Sequence, residues 1–411
     1  MPPAAGGHRG RLNSRLVLTQ YARVIVVSSL PNRELALAAT KTDRGVFNFY
    51  AGPTALPWPV IERMRQDLVD FHGTRMGVME ISHRAPEIEG LIADTAARVR
   101  RLLRLSPEFE VLFLQGGGSL QFSMIPMNFS APGEPVDYVD TGYWAGKSIA
   151  EAGRMGRDVA VAASSADRAY RYVPPVPTIT PRRGARYPHL VTNNTVEGTQ
   201  FRTLPRTGVP LIADMSSDLM TDVFDADACD MAYAHAQKNI GIAGVTVVIV
   251  RRPMLDAIAG EPRELPAILD YRTHARHHSN YHTPPTFAIY VTWLMLGWIE
   301  EEMGGLAVLG ALNRRKAAAL YDFLDGTPLY RCLAERDSRS VTNVTFSLPS
   351  AELHRQFLEA ADKAGFIGLA GHRSTGGCRA SLFNGVTLEM VDRLIGFMDA
   401  FAQRNGGSFR G

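Results

Sequence analysis

The sequence predicts an α/β protein: a large domain with a mainly parallel central sheet covered by helices on both faces, followed by a smaller α+β domain. Three observations predict it. Short apolar runs at 111–114, 136–139, 189–192, 210–214, 231–234 and 245–250 alternate with helical segments. The first of these passes directly into Gln115-Gly116-Gly117-Gly118-Ser119 and then into an apolar-periodic stretch, 120–129, which is the pattern of strand, glycine turn and helix start. The run Pro210-Leu211-Ile212-Ala213-Asp214 is apolar without alternation and ends in an acid. A strand buried on both faces reads this way, and it delivers its last side chain to the C-terminal edge of the sheet.

Residues 1–33 hold five arginines and no acid, with serines and an apolar segment at 24–30. A basic, acid-free, serine-containing leader is compatible with organellar targeting. A plain extension or an over-long start assignment reads the same way, so residues 1–45 are set apart as an extension of open purpose. Phe47-Asn48-Phe49-Tyr50 is a short aromatic strand candidate closed by Gly52-Pro53, and helices are expected at 60–71 and 89–105. The run 168–186, rich in Pro, Arg and Tyr, is expected to be an extended connection, and 268–285 an irregular segment carrying four histidines. Long helices are expected at 286–303 and 306–324, with a strand at 341–348. The division is therefore an extension (1–45), a large domain (46–305) and a small C-terminal domain (306–411).

The chain has 411 residues, 45% of them hydrophobic and 21% charged, with a net charge of +3. That is the profile of an ordinary globular protein and argues against a dedicated nucleic-acid surface. Cys229, Cys332 and Cys378 lie far apart, without spacing for a metal site or a disulfide framework, which favours a reducing, cytoplasmic setting. No apolar run reaches the roughly 18–20 residues that a membrane span requires.

The chemistry points to Ala236-Gln237-Lys238-Asn239-Ile240-Gly241, which sits between two apolar runs. A lysine fixed there can hold a carbonyl cofactor as a Schiff base. Chemistry based on pyridoxal 5′-phosphate needs a lysine, an acid for the ring nitrogen and an anion nest for the phosphate. Glycines 116–118, Asp214 and Lys238 supply these in order, the nest at a helix N-terminus where free N–H groups and the dipole favour an anion. Two further clusters are cationic: His83-Arg84, in a loop before a helix, and His372-Arg373 with Arg379, among glycines. Arginine binds carboxylates and phosphates bidentately, so both suit anionic substrates. Gly142-Tyr143-Trp144-Ala145-Gly146-Lys147-Ser148 imitates a nucleotide-binding loop, but Thr141 stands where that loop needs its first glycine.

From residue 47 to the C-terminus these blocks resemble the phosphoserine aminotransferase family, fold-type I pyridoxal-phosphate enzymes of the class V aminotransferase group. The blocks are Gly52-Pro53, 79–84, 116–119, 137–140 with Gly142-Tyr143-Trp144, Asn193-Asn194-Thr195, Ala213-Asp214, 237–241, 283–287, and 371–373 through 379–381. The resemblance implies that Lys238 holds the cofactor and moves the proton, and that Asp214 pairs with the ring nitrogen. It implies that Trp144 stacks on the ring, that Thr195 donates to its phenolic oxygen, and that Gly118, Ser119 and Gln237 hold the phosphate. In a family homodimer with shared active sites, His282 and Thr283 reach that phosphate from the neighbouring subunit. His83 and Arg84 bind the distal anionic group of the amino donor across the same interface. His372 and Arg373 bind the substrate phosphate or side-chain carboxylate, and Arg379 the α-carboxylate. The implied reaction is transfer of an amino group from L-glutamate to a phosphorylated keto acid, 3-phosphohydroxypyruvate, in serine biosynthesis. Some members also act on a phosphorylated hydroxythreonine precursor in pyridoxine biosynthesis. Two positions depart from the pattern: Ser119 where some members carry arginine, and His282 where others carry asparagine. The alternatives are a class V aminotransferase for small unphosphorylated substrates, of serine–glyoxylate type, and a non-catalytic binding protein of the same fold.

Overall fold

The computed structural model describes residues 45–259 and 264–405; the expectations for residues 1–33, and nearly all of the extension, lie outside them. The central sheet has seven strands: β2 (Phe109–Leu114), β3 (Pro135–Asp140), β4 (Asp158–Ser164), β5 (Pro188–Val191), β8 (Ile212–Asp214), β9 (Met231–His235) and β10 (Thr246–Arg251). Their spatial order is β2-β10-β9-β8-β5-β3-β4. Neighbours from β9 to β4 are parallel, while β10 is antiparallel to both β9 and β2. Six strands therefore point one way, and the segments that leave them collect at one edge.

Side-chain alternation sends each strand into two cores. Val111, Phe113, Leu190, Ala213, Ala232, Val247 and Ile249 face one layer. That layer includes α2 (Pro86–Leu103), which begins on Pro86 with Glu87 and Glu89 in its first turn and ends with Arg100 and Arg101, complementing the helix dipole at both ends. Leu112, Leu114, Tyr138, Ile212, Tyr233, Val248 and Val250 face the other. There α3 (Gly117–Phe129) buries Phe122, Met124, Ile125 and Phe129. Next along the sheet, α4 (Tyr143–Arg154) follows β3.

Several features differ from the sequence reading. Edge strand β4 escaped it because Asp158–Ser164 is alanine-rich and only partly buried, so its apolar contrast is weak. The expected long helix at 286–303 is α7 (Thr286–Gly297) continued by a π-turn, Trp298–Glu302. The irregular histidine-bearing segment contains one short helix, α6 (Tyr271–Arg276), capped by Asp270, whose carboxylate accepts from Arg272 N–H at 2.8 Å; α5 (Arg252–Ala259) precedes it.

A further core is built from α8 (Leu306–Gly326), β12 (Asn343–Ser347), α9 (Ala351–Lys363), β13 (Phe366–Ile367), β14 (Cys378–Ser381) and α10 (Leu388–Asn405). Strand β12 pairs antiparallel with β14 and with β11 (Arg331–Cys332). Phe49 belongs to this core as well, because β1 (Phe47–Asn48) pairs parallel with β13. The residues just after the extension thus serve the C-terminal half. Among the described residues no helix is long and apolar enough to cross a membrane.

Lys316 of α8 is fully buried, and its ammonium donates to the carbonyls of Leu382, Phe383 and Val386 at 3.1, 3.2 and 2.8 Å. Burial pushes its pKa down to about 7. Lys316→Met removes a buried cation but takes the lysine's hydrogen bonds from the Leu382 and Val386 carbonyls, while the Phe383 carbonyl keeps the Val386 N–H at 2.8 Å; the lost acceptor partners dominate. The variant should lose about 1–3 kcal/mol of stability, read as a lower urea midpoint; an unchanged midpoint would show that these carbonyls are satisfied without the lysine.

Candidate active site

The site forms where β2, β3, β5, β8 and β9 end. The turn between β9 and β10 carries Lys238, which is 7% exposed. The reversal of β10 makes that turn the tip of a hairpin between two central strands, so the lysine is held from both sides. Thr54 Oγ1 donates to the Lys238 carbonyl at 2.9 Å, and Gly52, at φ +126°, lets the chain pass against the lysine stem, where a Cβ would stand 3.4 Å from Lys238 Cγ. Lys238 Nζ donates to Thr195 Oγ1 at 2.7 Å. Thr195 follows β6 (Asn193–Asn194), which forms a small hairpin with β7 (Thr199–Gln200).

Burial pushes the Lys238 ammonium down to about 8; Asp214 pulls it back up and Arg379 adds to the fall. Asp214, at the end of β8, is 4% exposed and accepts from the Ser216 N–H at 2.9 Å. Burial raises its pKa, while Ser216, Lys238 and Tyr233 act against the rise. The Tyr233 hydroxyl in turn meets His189 Nε2 at 3.0 Å. A buried acid of this kind is ready to receive a cationic partner.

The glycine turn opens α3 with no side-chain cap, and Gly116 and Gly117 take φ of +85° and +63°, so the first-turn N–H groups have no intrahelical acceptor. On Gly118 a Cβ would stand 3.3 Å from His235 Nδ1 and 3.6 Å from Ser216 Oγ. The absence of that atom leaves a cradle between the helix start, Ser216 and His235. Burial and the charge of Lys238 push His235 down to about 3, so it is a neutral imidazole. These groups fit pyridoxal phosphate: a nest with N–H donors for its phosphate, Asp214 for its ring nitrogen and Lys238 for its aldehyde carbon.

Trp144 stands at the start of α4, 5.0 Å from the Tyr143 ring and 6.5 Å from Phe122. His372 lies 4.6 Å from Tyr143 and shares a 2.6 Å hydrogen bond with Ser374, while burial, Arg379 and Arg373 hold its imidazole below its ordinary pKa. Arg373 is exposed, and Arg379 Nη1 donates to the Thr195 carbonyl at 3.2 Å. Contacts therefore join Lys238, Thr195 and Arg379, and separately Trp144, Tyr143 and His372, while charge couples Asp214 to Lys238 and His372 to Arg379; Gly118 and Ser119 lie at the helix start and Gln237 precedes the lysine.

Other expected residues lie elsewhere within the single chain. The His83 carbonyl accepts from Asn280 Nδ2 at 3.0 Å, and the Arg84 N–H donates to Ser82 Oγ at 3.2 Å. His282 Nε2 lies 3.4 Å from Gln115 Oε1, at the approach to the glycine turn, and Thr283 is exposed. Cys378 is buried inside β14, where burial pushes its thiol up, as a packing residue would be. The sequence reading gave no role to Thr54, Glu197, Ser216, Tyr233 or His235. His235 and Ser216 were legible only as neighbours of Lys238 and Asp214 in the chain.

The Lys238 to Thr195 contact predicts a measurable shift. A hydroxyl accepting from an ammonium stabilises its charged form. Thr195→Val should move the titration of Lys238 in the apoprotein to lower pH, followed by the pH dependence of its modification with an amine-selective reagent. No shift would show that Thr195 is not the partner of the charged amine.

The aminotransferase class-V profile matches residues 46–394. The phosphoserine aminotransferase of Syntrophobacter fumaroxidans is 49% identical over 362 residues, 88% of this chain and 99% of the relative. A solved phosphoserine aminotransferase from Bacillus circulans subsp. alkalophilus has TM-score 0.84 at 45% identity, covering 88% of this chain and 99% of that one. A pyridoxal-phosphate-bound phosphoserine aminotransferase from Trichomonas vaginalis has TM-score 0.81 at 34% identity, covering 86% and 99%. Sheet order, buried lysine and acid, glycine-led helix and these likenesses lead to one conclusion: the chain belongs to the class-V aminotransferase family, in its phosphoserine aminotransferase branch.

Proposed function

We propose that this protein transfers the amino group of L-glutamate to 3-phosphohydroxypyruvate, giving O-phospho-L-serine and 2-oxoglutarate, with pyridoxal phosphate as cofactor. The observation that carries the reading is the joint burial of Lys238 and Asp214, whose chain neighbours His235 and Ser216 meet a glycine-led helix start at Gly118. Pyridoxal phosphate supplies an aldehyde that carries the amino group between substrates and a protonated ring that withdraws electrons from the reacting carbon.

The chain's own residues do the rest. Asp214, kept dry, holds a proton on the ring nitrogen. Lys238 Nζ, lowered to about 8, is a free amine often enough near neutrality to take the proton from the donor's Cα. Thr195 Oγ1 orients that amine, and Trp144 covers one face of the site. Arg379 binds the α-carboxylate. His372 and Arg373 bind the phosphate or the distal carboxylate, which is how one site accepts both an amino diacid and a phosphorylated substrate.

The reading includes a homodimer with shared sites. Among the described residues, His83, Arg84 and Thr283 make no hydrogen bond to Lys238, Thr195 or Arg379, and in this reading a second copy presents them to the site. His282 lies against Gln115, and in this reading it reaches the cofactor phosphate of the neighbouring subunit together with Thr283. Free Cys229, Cys332 and Cys378 suit a cytoplasmic setting.

Cofactor-loaded protein should lose the visible band of the lysine-bound cofactor, gaining the pyridoxamine form, on separate additions of O-phospho-L-serine and L-glutamate but not L-serine. Reaction with serine and not phosphoserine would move the protein to the small-substrate alternative. Because the amino group waits on the cofactor between half-reactions, kinetics should be ping-pong. Lys238→Ala should remain folded without turnover, and near-native turnover would remove the lysine from its role. Arg373→Ala should weaken the phosphorylated substrate by about 1.5–3 kcal/mol, the scale of a hydrogen bond to a charged group; an unchanged KM for phosphoserine would place the phosphate elsewhere.

A further inference from the structure

The turn Thr195-Val196-Glu197-Gly198 binds more than Lys238. The Thr195 carbonyl accepts from Arg379, and Thr345 Oγ1 donates to the Glu197 carbonyl at 2.9 Å, pinning the turn to β12. The Glu197 side chain is buried and reaches the start of α4, where Oε1 accepts the Tyr143 N–H at 2.8 Å. Gly142, at φ +140°, makes room for it, since a Cβ there would overlap the carboxyl group. Among the described residues, Glu197 Oε2 is buried without a hydrogen-bond partner, and so is Arg379 Nε. A stranded carboxylate oxygen and a stranded guanidinium nitrogen thus belong to groups that lie within each other's field.

We infer that Glu197 is a positioning and specificity residue for the amino donor's α-carboxylate: it fixes the helix start that carries Trp144, and its charge competes with the substrate carboxylate for Arg379. The inference rests on the reading of Arg379 as the carboxylate site. Without substrate, Glu197 gives a buried guanidinium its counter-charge. When a substrate carboxylate arrives, Arg379 faces two anions. Glu197 can then leave the competition by taking a proton from solvent, because burial already pushes its carboxyl up to about 7.

The other groups around it are few. Asp140 pushes the carboxyl further up, and its own Oδ2 accepts from the Tyr170 hydroxyl at 3.0 Å; Arg379 and the Tyr143 N–H pull it down. Gly142 and Thr345 bring no charge. Binding an anion nearby favours protonated Glu197, so by reciprocity protonated Glu197 favours the anion. Carboxylate affinity therefore falls as pH rises through about 7.

The test uses cofactor-loaded protein and glutarate, a dicarboxylate without an amino group to transfer. Its Kd is read by calorimetry from pH 6 to 8.5. In the native protein glutarate should bind several-fold more weakly at the upper pH. Glu197→Gln, which keeps an acceptor for Tyr143 but loses the charge, should lose distinctly less affinity between pH 6 and 8.5 than the native protein does. His372 and Lys238 are unchanged in both proteins, so the difference reports Glu197. In the apoprotein, Glu197→Ala should shift tryptophan emission while Glu197→Gln should not, with Trp144→Phe identifying the emission that belongs to Trp144. A Glu197→Gln protein that keeps the native pH dependence, or binds glutarate more weakly throughout, overturns the inference while leaving the Arg379 reading intact. Native glutarate affinity in Arg379→Gln overturns that reading and this inference with it.

Discussion

The hydrogen bond from Lys238 to Thr195 ties the tip of one hairpin to the turn of another, and the site's remaining geometry depends on it. An ammonium in a dry pocket is costly, and it persists only where acceptors and opposite charge offset its lost hydration. Thr195 supplies the acceptor and Asp214 the opposite charge, yet burial still prevails enough to lower the amine to about 8. The compromise is chemically useful. A fully stabilised ammonium would be a poor base, and an unpartnered one would leave the lysine without a fixed direction.

The same turn is stitched to the C-terminal core by polar bonds. Asn384 donates from its backbone and side chain to Asn239, the residue after Lys238, and Asn313 donates to Asn384 and to the Thr221 carbonyl. Lys316 holds the carbonyls of Leu382 and Phe383 just before Asn384. One buried cation steadies the segment that steadies the other. Two lysines, both buried and both lowered, therefore play opposite parts: Lys316 has all its donors committed to carbonyls, while Lys238 keeps its nitrogen directed at one hydroxyl.

Much of the sheet was legible because its strands are continuous apolar runs ended by glycine or acid, and the runs at 111–114, 231–234 and 245–250 appear within two residues of their expected ends. The order of glycine turn, Asp214 and Lys238 was legible for a chemical reason: each sits at a strand end, where sequence pattern and site coincide. Glu197 was not, since a glutamate in a polar turn reads as solvated until the fold buries it. Thr54 was hidden in the same way, 184 residues from the lysine whose carbonyl it holds. The antiparallel course of β10 was equally invisible, because a fully buried strand carries no mark of direction.

The parallel pairing of β1 with β13 has a consequence during synthesis. Phe47 and Asn48 leave the ribosome long before Phe366 and Ile367 exist, and Phe49 belongs to a core made almost wholly from residues beyond 316. Domains generally complete folding as units during translation. Here the aromatic segment 47–49 must stay unpaired while the entire seven-stranded sheet is assembled, and only the arrival of the last hundred residues gives it a partner. The nascent chain thus carries this aromatic segment without its strand partner for most of its elongation.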